Sequence, residues 1–288
     1  MNPPHRQTIV ELLDAYGKKV FSSVEIVKFL ESQPTKLGFA KSTPVSKMLR
    51  SLVEAELVSE VRCKCPSRSS IIRYTLPGTT PHEVALSFAP QSFLSHRTAA
   101  VLHGLIKNSK GPIIVNIEQS PKPQGGKLTQ DGIDAAFSRP QRKSNALYSY
   151  GRNRILVLNG KHTGRLGVGP FRSEGGQLLQ ISNLERTLLD LVVRPAYSGG
   201  ASSVLGAFKR GKGKSNVQSL AQMLGQMNYI YPYHQAAGFY VDRAGYGDAA
   251  CELFMQHGTK FDFYLEHYME NPRFDKRWRV SYPAALDG

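Results

Sequence analysis

The stretch Ser42-Thr43-Pro44-Val45-Ser46-Lys47-Met48-Leu49-Arg50-Ser51-Leu52-Val53-Glu54-Ala55-Glu56-Leu57 decides how the chain is read. It opens as a helix does, with Thr43 placed to cap the N-terminus and Pro44 at the first helical position, where a missing N–H costs nothing. Val45, Met48, Leu49, Leu52 and Val53 recur at helical spacing and define an apolar face. Thr43, Ser46, Lys47, Arg50 and Glu54 fall on another face, with two cations and small hydroxyls towards the N-terminal half. Such a face suits a helix lying in the DNA major groove, where its first turns reach base edges and phosphates.

Working outward, two shorter helices precede it. Ile9, Leu12, Leu13 and Tyr16 recur at i, i+3, i+4 and i+7 over Thr8 to Tyr16, and Gly17 stops that helix. Ser22 and Glu25 make a capping box, after which Ile26, Val27 and Leu30 point inward. A polar loop with Pro34 and Gly38 leads to Thr43. Downstream, Leu57 to Arg62 and Ile71 to Leu76 read as strands joined by the basic connection Lys64 to Ser70. Three helices and a basic hairpin are the order of a winged helix-turn-helix, the third helix being the reader and the hairpin the wing. On this reading Ser42, Thr43, Ser46, Lys47 and Arg50 face bases and phosphates, and Arg62, Lys64, Arg68 and Arg73 on the hairpin meet phosphates or a minor groove. Winged helices also serve as protein-binding modules, so the fold alone does not settle the partner.

Composition points the same way. Lys and Arg number 37 against 22 Asp and Glu, a net charge of +15, which predicts affinity for a polyanion. No apolar run approaches the roughly 18 residues of a spanning helix, and no apolar segment follows Met1-Asn-Pro-Pro-His-Arg6, so a cytoplasmic protein without a membrane partner is expected. Cys63, Cys65 and Cys251 cannot build a disulfide framework, and the Cys-x-Cys pair has no second pair downstream to hold zinc; neither metal nor cofactor is expected.

Pro77-Gly78-Thr79-Thr80-Pro81 closes the hairpin. This divides the chain into a winged helix over 1–78, a linker over 79–92 and a mixed α/β domain over 93–288, an α+β protein in all. In the second domain a helix near Ser95 carries His96 and His103 on one face, which without a third ligand read as packing residues. Ile113 to Glu118, Arg154 to Asn159 and Gln177 to Ile181 read as strands. Between Asp134 and Glu174 there is no acid, whereas Arg139, Arg142, Lys143, Arg152, Arg154, Lys161, Arg165 and Arg172 are all basic; they form an auxiliary basic surface, an acid-partner site or a solvated face. Ser182 to Arg194 is the strongest helix, with Ser182 and Glu185 as a capping box, Leu184, Leu188, Leu191 and Val192 inward, and Arg186 placed to pair with Asp190. Lys260 to Leu286 is rich in aromatics and reads as a tail that closes a core.

The order winged helix, then Ser95-His-Arg-Thr-Ala-Ala-Val-Leu-His-Gly-Leu105, then Ile181-Ser-Asn-Leu-Glu-Arg-Thr-Leu-Leu-Asp190, then Arg194-Pro195 and Gly199-Gly200, resembles the AbiEi antitoxins of type IV toxin–antitoxin systems. The resemblance implies a transcriptional repressor of its own operon that binds double-stranded promoter DNA at inverted repeats. It also implies a C-terminal domain that opposes a nucleotidyltransferase toxin, in the setting of phage defence. The chain is then not an enzyme. Two alternatives share the basic surface: a metal-dependent DNA nuclease, in which Glu174, Glu185, Asp190 or Glu252 would converge with a lysine, and a solitary regulator without a toxin.

Overall fold

The computed structural model describes residues 3–107, 111–123 and 126–287, with side chains from residue 6. Its helices are α1 (Pro3–Asp14), α2 (Ser23–Ser32), α3 (Val45–Glu54), α4 (Pro81–Leu86), α5 (His96–Leu102), α6 (Gln130–Phe137), α7 (Leu184–Val193), α8 (Ala201–Gly211), α9 (Val217–Met227), α10 (Tyr233–Arg243) and α11 (Asp248–Met255). Its strands are β1 (Val20–Ser22), β2 (Ser59–Cys65), β3 (Arg68–Thr75), β4 (Phe93–Leu94), β5 (Ile113–Glu118), β6 (Leu147–Tyr150), β7 (Asn153–Gly160), β8 (Val168–Arg172), β9 (Leu178–Ser182), β10 (Phe263–Tyr264), β11 (Arg273–Asp275) and β12 (Val280–Tyr282). The chain is α+β, with strands paired in both senses. No helix among the described residues is long and apolar enough to cross a membrane.

Two compact units emerge, and they differ from the division read in the sequence. The first takes Met1–Ser92 together with Gly111–Val115 and Asn145–Val157; the second takes the rest. The expected linker 79–92 is therefore part of the first unit, and most of it is ordered around α4, whose N-terminus is a complete capping box of Thr80 and Glu83. Pro77-Gly78 marks a turn between elements and not a boundary between domains.

In the first unit, α1, α2 and α3 bury Ile9, Leu13, Ile26, Phe29, Leu30, Met48 and Leu52 against Phe21 of β1 and Tyr74 and Leu76 at the end of β3. The Ser22 and Glu25 box starts α2 as expected: Ser22 N–H donates to Glu25 Oε2 at 2.7 Å and Glu25 N–H to Ser22 Oγ at 3.3 Å. Burial pushes the Glu25 carboxyl up, but the Lys18 ammonium and the Ser22 donors outweigh it and hold it at about 2. α3 begins one residue later than expected. Pro44 is its N-cap and no side chain caps it, so Thr43 does not play that role. Val53, expected inward, is 38% exposed.

The end of α3 sets the direction in which the chain enters the hairpin. Glu56 adopts φ +57°, Glu56 N–H donates to Val53 O at 3.0 Å and Leu57 N–H to Leu52 O at 3.0 Å. This is a Schellman closure with glutamate in the left-handed position usually given to glycine, and Leu52 and Leu57 bury their side chains together beneath it. The chain leaves directly into β2. Strand β3 pairs antiparallel with both β1 and β2, and β2 continues antiparallel to β6, which pairs with β7. The hairpin is longer than its sequence suggested. Alternation of Arg62, Cys63, Lys64 and Cys65 carries β2 through Cys65, so Pro66 and Ser67 alone form the tip and Lys64 lies within a strand.

In the second unit α7 runs through the core, with Leu188, Leu189, Leu191 and Val192 packed among residues of α8, α9 and α10. Asn183, and not Ser182, is its N-cap, accepting Arg186 N–H at 2.8 Å. Ser182 instead hydrogen-bonds the Thr187 hydroxyl at 2.8 Å. The aromatic tail folds into the sheet β10-β12-β11 and contributes Phe263, Trp278, Val280 and Tyr282 to the core. Trp278 lies against α10 where Gly238 leaves room: a Cβ there would stand 2.0 Å from the indole. The indole N–H donates to Asp242 Oδ2 at 2.8 Å, and Gln235 Nε2 donates to the Trp278 carbonyl at 2.7 Å.

Candidate nucleic-acid interface

Two surfaces of the first unit carry the residues singled out in the sequence. On α3, Met48 and Leu52 face the core, which leaves Ser46, Lys47 and Arg50 exposed on the other side, with Ser42 exposed and Thr43 half-exposed just before the helix. Lys47 and Arg50 are one turn apart, so both cations flank the same groove of the helix surface. No side chain caps this helix, so its first turn keeps N–H groups that a phosphate oxygen could accept.

The second surface is a row across three strands. Residues directly opposite in antiparallel strands share a face, and Lys64 opposes Ser149 while Ser149 opposes Arg154. All three are exposed, and Arg62, two residues along β2, lies on the same face. With strands about 4.8 Å apart, the row sets two cations roughly 10 Å from each other with a hydroxyl between them. Arg68 starts β3 beside the tip, and Arg152 sits in the turn between β6 and β7; both are exposed. Cys63 and Cys65 alternate with these cations and are buried as free thiols on the opposite face.

The members of this set are not equivalent. Arg62 pairs with Glu60 at 3.1 Å. Arg73, expected at the nucleic acid, is turned away from it: it is half-buried, and its guanidinium donates to the Ser87 carbonyl at 2.8 and 3.2 Å, to the Ser87 hydroxyl at 3.0 Å and to the Ile72 carbonyl at 2.8 Å. Its strand parity is the cause, since Arg73 alternates with Ile72 and Tyr74, which face the helices. Arg73 closes the C-terminal end of α4 and leaves the candidate interface. By contrast, Lys47, Arg50, Lys64 and Arg68 have no ion-pair partner among the described residues.

The basic stretch 139–172 is divided between the units. Arg152 and Arg154 belong to the first, and Arg139, Arg142, Lys143, Lys161, Arg165 and Arg172 to the second. Of the latter, Arg139, Arg142 and Lys143 are exposed; Arg172 is exposed but donates to Gly176 O at 3.3 Å. Lys161 donates to Asn228 O and lies 5.2 Å from the centre of the Tyr229 ring. Arg165 donates to Gln180 Oε1 at 3.0 Å and stands over Phe93, so it holds local structure. One continuous basic strip is thus replaced by a patch in each unit.

The second unit also buries charge. Arg186, 2% exposed, donates from Nε to Asp190 Oδ1 at 2.9 Å and from Nη1 to Thr163 Oγ1 at 2.9 Å and Leu166 O at 2.7 Å, and its Nη2 is 3.6 Å from Glu118 Oε1. The i, i+4 pairing with Asp190 is readable in the sequence; Glu118 and Thr163 come from distant segments and are not. Glu118 accepts the backbone N–H groups of Thr163 at 2.9 Å and Arg165 at 3.1 Å and the Thr163 hydroxyl. Burial raises its carboxyl, yet these donors and Arg186 bring it below the ordinary value. His96 is wholly buried, with Nδ1 2.9 Å from Ser95 Oγ, and burial holds it neutral with a pKa of about 4. His103 donates from Nε2 to Ser182 O at 2.8 Å. Both histidines are hydrogen-bonded packing groups. Glu185 accepts Asn216 N–H at 2.8 Å, and no three metal-binding side chains stand together among the described residues.

No protein-family model matches the chain, and no curated protein matches it significantly. Among solved structures it is similar to the RV2827C protein from Mycobacterium tuberculosis, at 13% identity and a TM-score of 0.59, over 98% of this chain and 92% of that one. At that identity the likeness is one of fold.

Proposed function

We propose that the chain binds double-stranded DNA sequence-specifically through its first unit, used as a winged helix-turn-helix, and represses its own promoter. The observation that carries this reading is the exposed face of α3, where Ser46, Lys47 and Arg50 project from a helix fixed from behind by Met48 and Leu52. Base reading belongs to Ser42, Thr43, Ser46, Lys47 and Arg50, and phosphate anchoring to Lys64, Arg68, Arg152 and Arg154. The resemblance to AbiEi antitoxins extends the proposal to inverted repeats in the promoter and to a second unit that opposes a nucleotidyltransferase toxin. Two of the acids the nuclease alternative needs, Asp190 and Glu185, are engaged with Arg186 and Asn216, and among the described residues no three metal-binding side chains stand together.

Fluorescence anisotropy on the chain's own upstream DNA and on a scrambled duplex, at about 50 and 200 mM salt, tests it. Tighter binding to the upstream sequence that persists at the higher salt is expected, and Arg50→Ala should weaken it by roughly 1–3 kcal/mol while barely changing the scrambled duplex. Equal binding to both, lost together as salt rises, would reduce the surface to a general polyanion site.

A further inference from the structure

Between α9 and α10 the chain reads Asn228-Tyr229-Ile230-Tyr231-Pro232-Tyr233-His234. Tyr229 and Tyr231 in the link and Tyr233 at the start of α10 all line one cavity, and Ile230 between them is left 44% exposed. Asn228, at φ +47°, ends α9 in the left-handed conformation and turns the link back over the helix. The rings brace one another edge to face, Tyr229 and Tyr233 at 5.1 Å and Tyr231 and Tyr233 at 6.1 Å. They enclose, with Asn228, His234 and His257, an open-mouthed cavity of about 130 Å³. An engineered cavity of about 150 Å³ accepts benzene, so this one has room for a single six-membered ring.

The chemistry of the walls narrows the occupant. A quaternary or methylated ammonium would want the ring faces and a carboxylate, but no lining residue is acidic and the Lys161 ammonium already lies over Tyr229 while donating to Asn228 O. A second cation is disfavoured there, and an anionic group beside Lys161 is favoured, because its remaining N–H donors are free to turn outward. A plain hydrocarbon ring would strand the polar edges of the wall. His234 donates from Nε2 to Gly258 O at 2.8 Å, which leaves Nδ1 as an acceptor, and Asn228 supplies an amide. Polar groups around a space for one ring, with the Lys161 cation held against two of the lining residues, Asn228 and Tyr229, match a base and its phosphate.

We propose that this cavity of the second unit is a nucleotide site that takes a pyrimidine base among Tyr229, Tyr231 and Tyr233 and sets its phosphate against Lys161. The ligand is a pyrimidine nucleoside phosphate, supplied as a free mononucleotide or as an unpaired residue of a nucleic-acid strand. The site is independent of the DNA surface on the first unit and stands or falls separately.

Isothermal titration calorimetry of the full chain with UMP, CMP, AMP, uridine and inorganic phosphate tests it, followed by short single-stranded pyrimidine oligonucleotides. Saturable binding of UMP or CMP is expected, at least fivefold tighter than AMP. Lys161→Gln should weaken UMP tenfold or more and leave uridine unchanged, and Tyr231→Ala should weaken both. If Tyr231→Ala fails to fold, Tyr231→Leu and the exposed Lys161→Gln carry the test. Free mononucleotide binding with no gain for the oligonucleotide identifies a soluble ligand, and tighter oligonucleotide binding lost in the same variants identifies a strand; either supports the site. Failure of both to bind, phosphate competing as well as UMP, or N-acetyl-tyrosinamide binding as tightly as UMP would overturn it, the last pointing to a peptide occupant.

Discussion

The outward faces of α3 and of the β2-β6-β7 strands, in the first unit, and the interior around α7, in the second, handle positive charge in opposite ways. In the first, Lys47 and Arg50 stand opposite the buried Met48 and Leu52, and Lys64 and Arg154 opposite the buried Cys63, Cys65, Tyr148 and Ile155, so each cation keeps its hydration until something displaces it. In the second, Arg186 is enclosed and its charge is balanced by Asp190 and Glu118. A basic residue on a strand or helix is therefore informative only with its parity: Arg73 and Lys64 share a hairpin, yet one closes α4 and the other faces solvent. Charge available for a partner belongs to the first pattern; charge that fixes the fold belongs to the second.

The comparison is broken most severely by removing the enclosed cation. Arg186→Met should destabilise the chain by about 3–5 kcal/mol, because Asp190 and Glu118 would remain buried without a counter-charge; urea unfolding measures it, and a loss under about 1 kcal/mol would mean that water reaches the network. Acid probes the same region. The His96 pKa lies at about 4 in the folded chain and near 6.5 when unfolded, so between these values the unfolded state takes up a proton that the folded state refuses. Its contribution is complete above pH 6.5 and is lost as pH falls, by up to about 3 kcal/mol at pH 4. An unfolding midpoint that does not move between about pH 7 and pH 5 would contradict it.

On the exposed side the expected effects are on binding. The double variant Lys64→Ala, Arg154→Ala should change stability by less than about 0.5 kcal/mol and reduce the slope of log K against log salt by about two on any duplex. A slope unchanged from the parent would remove the three-strand row from the interface. The smallest effect expected is a gain: Glu56→Gly relieves the left-handed glutamate of the Schellman closure and should stabilise by about 0.5–1 kcal/mol, once the greater freedom of the unfolded chain is subtracted. Thermal unfolding of both proteins checks it.

The features legible in the sequence are local. The Ser22 and Glu25 box, most inward residues of the three helices and the Arg186 and Asp190 spacing all depend on residues within one or two turns of each other; Val53 and Tyr16, also expected inward, are exposed, and α1 ends at Asp14, before the Tyr16 expected in it. Two helix starts move by one residue, at Thr43 and Ser182, because a neighbouring residue can also stand in the capping position and only backbone geometry chooses between them. The pairing of β2 with β6 joins Lys64 to Ser149 across a long span of chain, and no periodicity announces it. Thr80 and Glu83 are as plain a box as Ser22 and Glu25, but Pro77 and Gly78 beside them carry the signature of a boundary as well as of a turn. The candidate interface obeys the same rule: α3 is legible, while the row on the sheet needs the register.

Trp278, seated on Gly238, is the one tryptophan of the chain. Its emission will therefore be a private signal of the second unit, recorded in a buried setting that solvent will quench or shift only when α10 and the tail part. Circular dichroism sees the helices of both units, so a denaturation followed by both methods tells whether the halves melt as a single cooperative body or in sequence. The placement of one indole makes the energetic coupling of the two units a quantity that can be read without adding a label.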